Sequence, residues 1–217
     1  MNKYIGERRF LFVTHASSTI PRAAVRGSAV GIFFMAFFGT LWAYTGIMGL
    51  NGWGVPLLLI AAITICIVLF ICGVSLIRAS RELTNQVSKT DFRRGNRTMF
   101  WFNIIFAAEG LAIFITIAVC NATRHSELIP LIIAIIVGVH FLPLAHLFRV
   151  RIYYFTGTLL CLLAIITLLF VPEKVTLGEY QINAFMSVVG FGSALILWGT
   201  SLAIWLIGRR LLGIIPK

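Results

Sequence analysis

Two ionisable side chains stand inside long apolar stretches of this sequence. Glu109 is the one acid in the run Phe100–Cys120, and His140 lies in the run Ile129–Phe148. At 1.5 Å per residue, each lies roughly 14–16 Å from the start of its run, near the middle of a membrane crossed in opposite directions. A lone charge at that depth costs about 2.5–3.5 kcal/mol on insertion scales, so both residues require a partner or a function.

The short loop between these two runs predicts that their helices are antiparallel neighbours. Glu109 and His140 are therefore expected to face each other and to act as one titrating unit, which would bind a proton, a cation or a small polar solute. The alternative is a structural clasp, in which the pair only fixes the register of two helices.

Other polar side chains extend this candidate site. Thr116 falls on the same helical face as Glu109, and Ser193 lies near mid-depth of the last apolar run, in a stripe of small and hydroxyl residues. We therefore name Glu109, His140, Thr116 and Ser193 as candidates for binding a ligand or a proton. For Thr116 and Ser193 the alternative is helix packing, which small residues favour.

Pro143 follows His140 by three residues. Because proline lacks an N–H and clashes with the carbonyl of Val139, a helix kink is predicted at Pro143. His146 lies about 240° around the helix from His140, so the two rings cannot share a metal ion. Together with the absence of close cysteine pairs, this predicts no metal site, no disulfide framework and no cofactor.

An enzymatic interpretation rests on Glu109, His140 and Ser193, which could form an acid–histidine–serine triad. Intramembrane serine proteases of the rhomboid type also have six core helices, but their nucleophile lies in a Gly-x-Ser-Gly motif and their paired histidine follows the serine. The sequence here is Gly190-Phe-Gly-Ser193-Ala194, and His140 precedes it. An intramembrane hydrolase therefore ranks third, after a transporter or ligand-binding protein and a structural or regulatory subunit.

The composition places these residues in an integral membrane protein. The 217-residue chain is 59% hydrophobic and 12% charged, with a mean hydropathy of +0.98, whereas a soluble domain carries about 25% charge. Its long apolar runs lack the two-residue alternation of barrel strands. The predicted fold class is all-α, a polytopic bundle of six transmembrane helices within residues 28–206. The predicted helices are 28–47, 56–77, 100–120, 129–148, 152–170 and 183–206.

The basic residues predict the orientation of this bundle. Sixteen of the 18 Lys and Arg residues lie in the two terminal segments and in alternate loops, and only Arg124 and Lys174 lie in the opposite loops. Because positive charge accumulates on the cytoplasmic side, both termini are predicted in the cytoplasm, with the chain in the cell membrane. The membrane topology thus accounts for the net charge of +11, and no nucleic-acid partner is expected.

The segments outside the helices suggest few partners. Residues 1–27 are predicted to form a cytoplasmic segment without a cleavable signal peptide, which could lie on the inner leaflet as an interfacial helix. Residues 207–217 are predicted to be a cytoplasmic tail. The loop Ala79–Thr98 is the one sizeable soluble connection, and its basic residues could bind a phosphate or a partner as well as set topology. We expect the lipid bilayer, anionic lipid at the inner face, and a small solute or proton as partners, and leave the oligomeric state open.

Overall fold

A computed structural model describes residues 22–82, 89–177 and 180–213. Within these ranges the chain is helical apart from one short hairpin, and six helices are long and apolar enough to cross a membrane. The predicted all-α class and the predicted set of six membrane-length helices are thereby confirmed. The helices are α1 (Arg22–Gly49), α2 (Val55–Ala79), α3 (Lys89–Ala122), α4 (Ile129–Phe148), α5 (Ile152–Phe170) and α6 (Ala184–Gly213).

Several helices continue beyond the apolar runs that predict them. α3 begins at Lys89, so the described part of the predicted loop Ala79–Thr98 is largely helical: a 3₁₀ turn at Ser80–Glu82 and the first residues of α3. The reason is that charged residues end an apolar run without ending a helix, since Lys and Arg are good helix formers. Likewise α1 begins before Ser28 and α6 continues into the predicted tail. The interfacial helix proposed for the N-terminus falls on residues 1–21, outside the described ranges.

A two-stranded antiparallel hairpin connects α5 to α6, where the sequence predicts only a loop. Strand β1 (Lys174–Leu177) pairs with β2 (Tyr180–Asn183), with Val175 opposite Ile182. The Asn183 side chain accepts a hydrogen bond from the Met186 amide and so caps α6. A four-residue strand is too short for a periodicity signal, which is why pairing became evident only in the structure.

The first and last helices form the centre of the bundle. α1 and α6 make the most extensive contact between elements, because glycines allow their backbones to approach closely: a Cβ added at Gly190 would overlap the backbone of Gly46. Three α6 side chains also donate hydrogen bonds to carbonyl oxygens of α1. These are Ser187 to Gly46 (3.3 Å), Trp198 to Ala36 (3.4 Å) and Ser201 to Ile32 (3.3 Å).

The other helices pack around this central pair. α2 lies against α1 and α6, while α5 lies between α4 and α6, where Thr156 and Thr200 form a buried hydroxyl–hydroxyl hydrogen bond of 2.8 Å. α3 lies at the edge of the bundle: its main neighbour is α4, and it reaches α1 through ring contacts such as Phe34 with Phe106. The candidate site consequently lies in the groove between α3 and α4.

Candidate functional site

Glu109 and His140 are in contact. Their helices are joined by a short loop that includes a 3₁₀ turn at Ser126–Leu128, which makes α3 and α4 antiparallel neighbours. Glu109 Oε1 lies 3.2 Å from His140 Nδ1, and the side chains are only 9% and 13% exposed, respectively. Both residues lie well inside their membrane-length segments, Gly95–Ala122 and Ser126–Phe148. The structure therefore brings together the two residues that the sequence places at equal depth.

The backbone of α4 determines which imidazole nitrogen can exchange a proton. His140 Nδ1 also lies 3.3 Å from the carbonyl oxygen of Val137, one turn back along the helix. A carbonyl and a carboxylate can both accept a hydrogen bond from Nδ1–H, so the hydrogen of the neutral ring belongs on Nδ1. Nε2 is then the nitrogen that gains or loses a proton, and the Phe141 ring packs beside the imidazole with centroids 5.1 Å apart.

An open cleft of about 1070 Å³ lies between α3 and α4, on the side of the pair where α3 begins and α4 ends. Along α3 its wall includes Arg97, Trp101 and Ile105, which are spaced by four residues, and Glu109 is the next position in that series. The α4 wall begins at Pro143, three residues beyond His140. The Glu109–His140 pair therefore lies one helical turn beyond the end of the cleft and does not line it.

The two remaining candidates are not joined to this pair. Thr116 donates its hydroxyl hydrogen to the Ala112 carbonyl oxygen at 2.9 Å, within its own helix. Ser193 is fully buried on α6, and its Oγ has no hydrogen-bond partner in the part of the chain that the structure describes. The contacts that would make Glu109, His140 and Ser193 a catalytic triad are therefore not formed. Among the described residues, no group of three or more His, Cys, Asp or Glu side chains is placed to hold a metal ion.

Pro143 lies inside α4, which continues as a helix from Ile129 to Phe148. The missing backbone N–H leaves the Val139 carbonyl without its usual helical donor. The kink at Pro143 remains a prediction.

The basic lining of the cleft is the feature that sequence reasoning missed. Arg97, His146 and Arg149 line it, and His146 and Arg149 also line a smaller adjoining cleft of about 250 Å³. The charge distribution indicates topology for all of these residues and allows phosphate binding only for the loop Ala79–Thr98, which includes Arg97; that they line one cleft was not predicted. The i, i+3 spacing of His146 and Arg149 was a signal that these two residues lie close together at the end of α4.

The six membrane-length helices indicate a multi-pass helical membrane protein. The chain belongs to DUF7010, described as a family of unknown function, whose family model matches residues 26–200. The matched region includes the whole of α2 to α5, and with them Glu109 and His140. No curated protein and no solved structure matches the chain.

Proposed function

We propose that this chain is a small multi-pass protein of the cell membrane, with both termini in the cytoplasm, that transports or binds a small polar solute or ion. Its site is the Glu109–His140 pair, which exchanges protons at mid-membrane. The observation that carries this proposal is the 3.2 Å contact between a carboxylate and an imidazole, nearly closed off from the surface in a groove between two spanning helices.

The charge of the pair explains how proton and ligand binding would be coupled. With Glu109 ionised and the ring of His140 neutral, the pair carries one negative charge in a region of low dielectric. One proton at Nε2, or one monovalent cation beside the carboxylate, cancels that charge. Because each bound species removes the attraction for the other, proton and cation binding oppose each other, which is the coupling that an exchanger requires.

The cleft supplies the approach to the pair from one side of the membrane. It ends at Ile105 and Pro143, one helical turn short of Glu109 and His140. A small displacement of α3 relative to α4 would extend the cleft to Glu109 and His140. Of the six helices, α3 packs against the fewest neighbours, so few contacts oppose this displacement. Under the proposed orientation the cleft opens to the cytoplasm.

A structural or regulatory subunit is the second candidate function, and one observation favours it. The lining of the cleft between α3 and α4, and that of the smaller adjoining cleft, includes neither Glu109 nor His140. In this alternative the pair only fixes the register of α3 against α4, as interhelical polar contacts do in membrane bundles.

Proton flux through reconstituted vesicles tests the proposal. The purified full chain is placed in liposomes that hold a pH-sensitive dye, a pH gradient is imposed, and Na⁺ or K⁺ is added outside. Wild-type protein should dissipate the gradient when one of these cations is added. Glu109→Gln should abolish this flux, because an amide can bond the ring but carries no charge to exchange.

The matched control is Glu127→Gln. His125 and Glu127 form a second histidine–glutamate pair, 3.0 Å apart, at the opposite end of the bundle, where their side chains are 63% and 27% exposed. Loss of this pair should leave the flux unchanged. Equal flux in wild type and Glu109→Gln, or no flux and no pH-dependent cation binding in the wild type, would refute a transport site at Glu109 and favour the structural clasp.

A further inference from the structure

Among the described residues, the lining of the cleft between α3 and α4 includes basic side chains and no acid. Arg97 lies on the α3 side and Arg149 at the end of α4, with His146 between them and Arg151 in the adjoining smaller cleft. Within the described part of the chain, none of these four residues forms an ion pair. Arginines that line one cleft without a carboxylate partner favour the binding of an anion, since each guanidinium can donate two parallel hydrogen bonds to phosphate oxygens.

Arg149 adopts a backbone conformation in which glycine is the more usual residue. Arg149 follows the last residue of α4 and adopts a left-handed conformation, with φ of 56° and ψ of 36°. Glycine is the usual residue at such a helix end, and other residues are strained there. This left-handed turn ends α4 at the mouth of the cleft, where Arg149 is part of the lining.

The remaining walls are apolar and face outward. Trp101 and Phe148 line the cleft and are 46% and 40% exposed. Beyond them α3 presents a series of exposed apolar side chains, including Leu111 and Phe114, that suit contact with lipid chains. An occupant with an anionic head and long apolar chains would contact both parts of this surface.

We propose that the cleft binds the phosphate headgroup of an anionic phospholipid. Arg97 and Arg149 hold the phosphate oxygens, Tyr154 and Arg151 in the adjoining cleft are placed to meet the rest of the headgroup, and the acyl chains lie along the exposed face of α3. This inference goes beyond the proposed function because it requires only that the protein lie in a bilayer. It holds whether or not Glu109 and His140 move protons.

Lipid binding to the purified full chain in neutral detergent tests the site. Native mass spectrometry is used to titrate phosphatidylglycerol, phosphatidylcholine and the soluble glycerol 3-phosphate. The wild type should bind phosphatidylglycerol in preference to both others. Arg149→Gly and Arg97→Gln should each weaken that binding by about tenfold or more, because each removes a charge-assisted contact with the phosphate.

Two control variants separate this site from general basicity and from misfolding. Arg124 shares the left-handed backbone of Arg149, with φ of 61°, but lies at the other end of the bundle, so Arg124→Gly should raise the melting temperature and keep lipid binding. Arg149→Gly should also raise the melting temperature while losing lipid, which excludes unfolding as the cause. Arg210→Gln removes an exposed charge at the same end as the cleft, on α6, and should bind lipid normally.

Three results would overturn the proposal. Equal losses in Arg149→Gly and Arg210→Gln would mean that attraction is spread over the whole basic end. Equal affinity of the wild type for phosphatidylcholine and phosphatidylglycerol would mean that the cleft does not recognise negative charge. Glycerol 3-phosphate binding as tightly as phosphatidylglycerol would mean that the ligand is a soluble phosphate.

Discussion

At the residue scale, the chain contains the same pair of side chains in two different environments. His125–Glu127 lies at the surface and His140–Glu109 lies inside the groove, at nearly equal separations of 3.0 and 3.2 Å. Water screens the exposed pair and readily replaces either partner. Inside the groove the two side chains are only 9% and 13% exposed, so water does not readily replace a partner, and loss of His140 would leave the Glu109 carboxylate without its described partner. The two pairs share the same side-chain chemistry and differ in burial, and it is the burial that makes Glu109 a candidate site residue.

Glu109→Leu should therefore destabilise the protein while Glu109→Gln should not. Glutamine keeps a polar oxygen beside His140 Nδ1, which lies 3.2 Å from Glu109 Oε1 and 3.3 Å from the Val137 carbonyl oxygen, whereas leucine leaves only the contact with the carbonyl. The expected loss is about 1 kcal/mol, the usual magnitude of an interhelical polar contact in a membrane. Thermal unfolding in one detergent measures it. A Glu109→Leu protein as stable as the wild type would show that the pair does not hold α3 to α4.

At the element scale, glycines determine which helices come close. Gly138 of α4 faces the backbone of Gly157 of α5, and Gly190 of α6 faces Gly46 of α1. Any side chain at these positions would separate the two backbones. In a membrane, an apolar helix surface is about equally stable against lipid and against another helix. The close approach of the backbones and the resulting van der Waals contacts therefore determine which helices pack together.

The same substitution at two glycines of α6 should have opposite effects. Gly190→Ala places a methyl group against the backbone of α1 and should destabilise the protein by about 1–3 kcal/mol. Gly199→Ala is the control, because a Cβ there meets nothing within 4 Å. It should stabilise α6 by about 0.5–1 kcal/mol through helix propensity. The melting temperatures of both variants are measured in one detergent. Destabilisation by both substitutions, or by neither, would contradict the packing described.

At the scale of the whole molecule, different side-chain contacts join the elements at the two ends of the bundle. At one end the Arg209 guanidinium lies over the Trp205 ring, 5.0 Å from its centroid, and Trp205 Nε1 donates to Ser75 Oγ at 3.0 Å, which joins the end of α6 to the end of α2. At the other end the Asn51 side chain contacts the backbone of Gln181 in the hairpin. The basic residues accumulate at the first of these ends, which we propose is cytoplasmic.

Thiol labelling in intact cells tests this orientation. Single cysteines are introduced at Lys174, whose side chain is 60% exposed, and at Arg210, in a background without the four native cysteines. An impermeant maleimide should label the Lys174→Cys protein from outside and the Arg210→Cys protein only after permeabilisation. The reverse pattern would invert the proposed topology and place the basic cleft on the outer face.

The number of membrane-length helices and the contact between Glu109 and His140 could both be predicted from the sequence. Both follow from local rules: a backbone in lipid must satisfy its own hydrogen bonds, so apolar runs of sufficient length are helices. A short loop then makes consecutive helices antiparallel neighbours, and counting residues gives depth. The extent of α3 was not determined in this way, because its first turns are charged and leave no hydropathy signal.

Some helices that are distant in sequence pack together, and their polar residues make specific contacts. Both became evident only from the three-dimensional structure. Ser193 and Thr116 lie at suitable positions along their helices but do not contact the Glu109–His140 pair. Arg97 and Arg149, distant in sequence, line one cleft. Depth along a helix can be counted from the sequence. The direction a side chain faces within a bundle depends on the shapes of all the neighbouring helices, and in a membrane no hydrophobic stripe marks those contacts in advance.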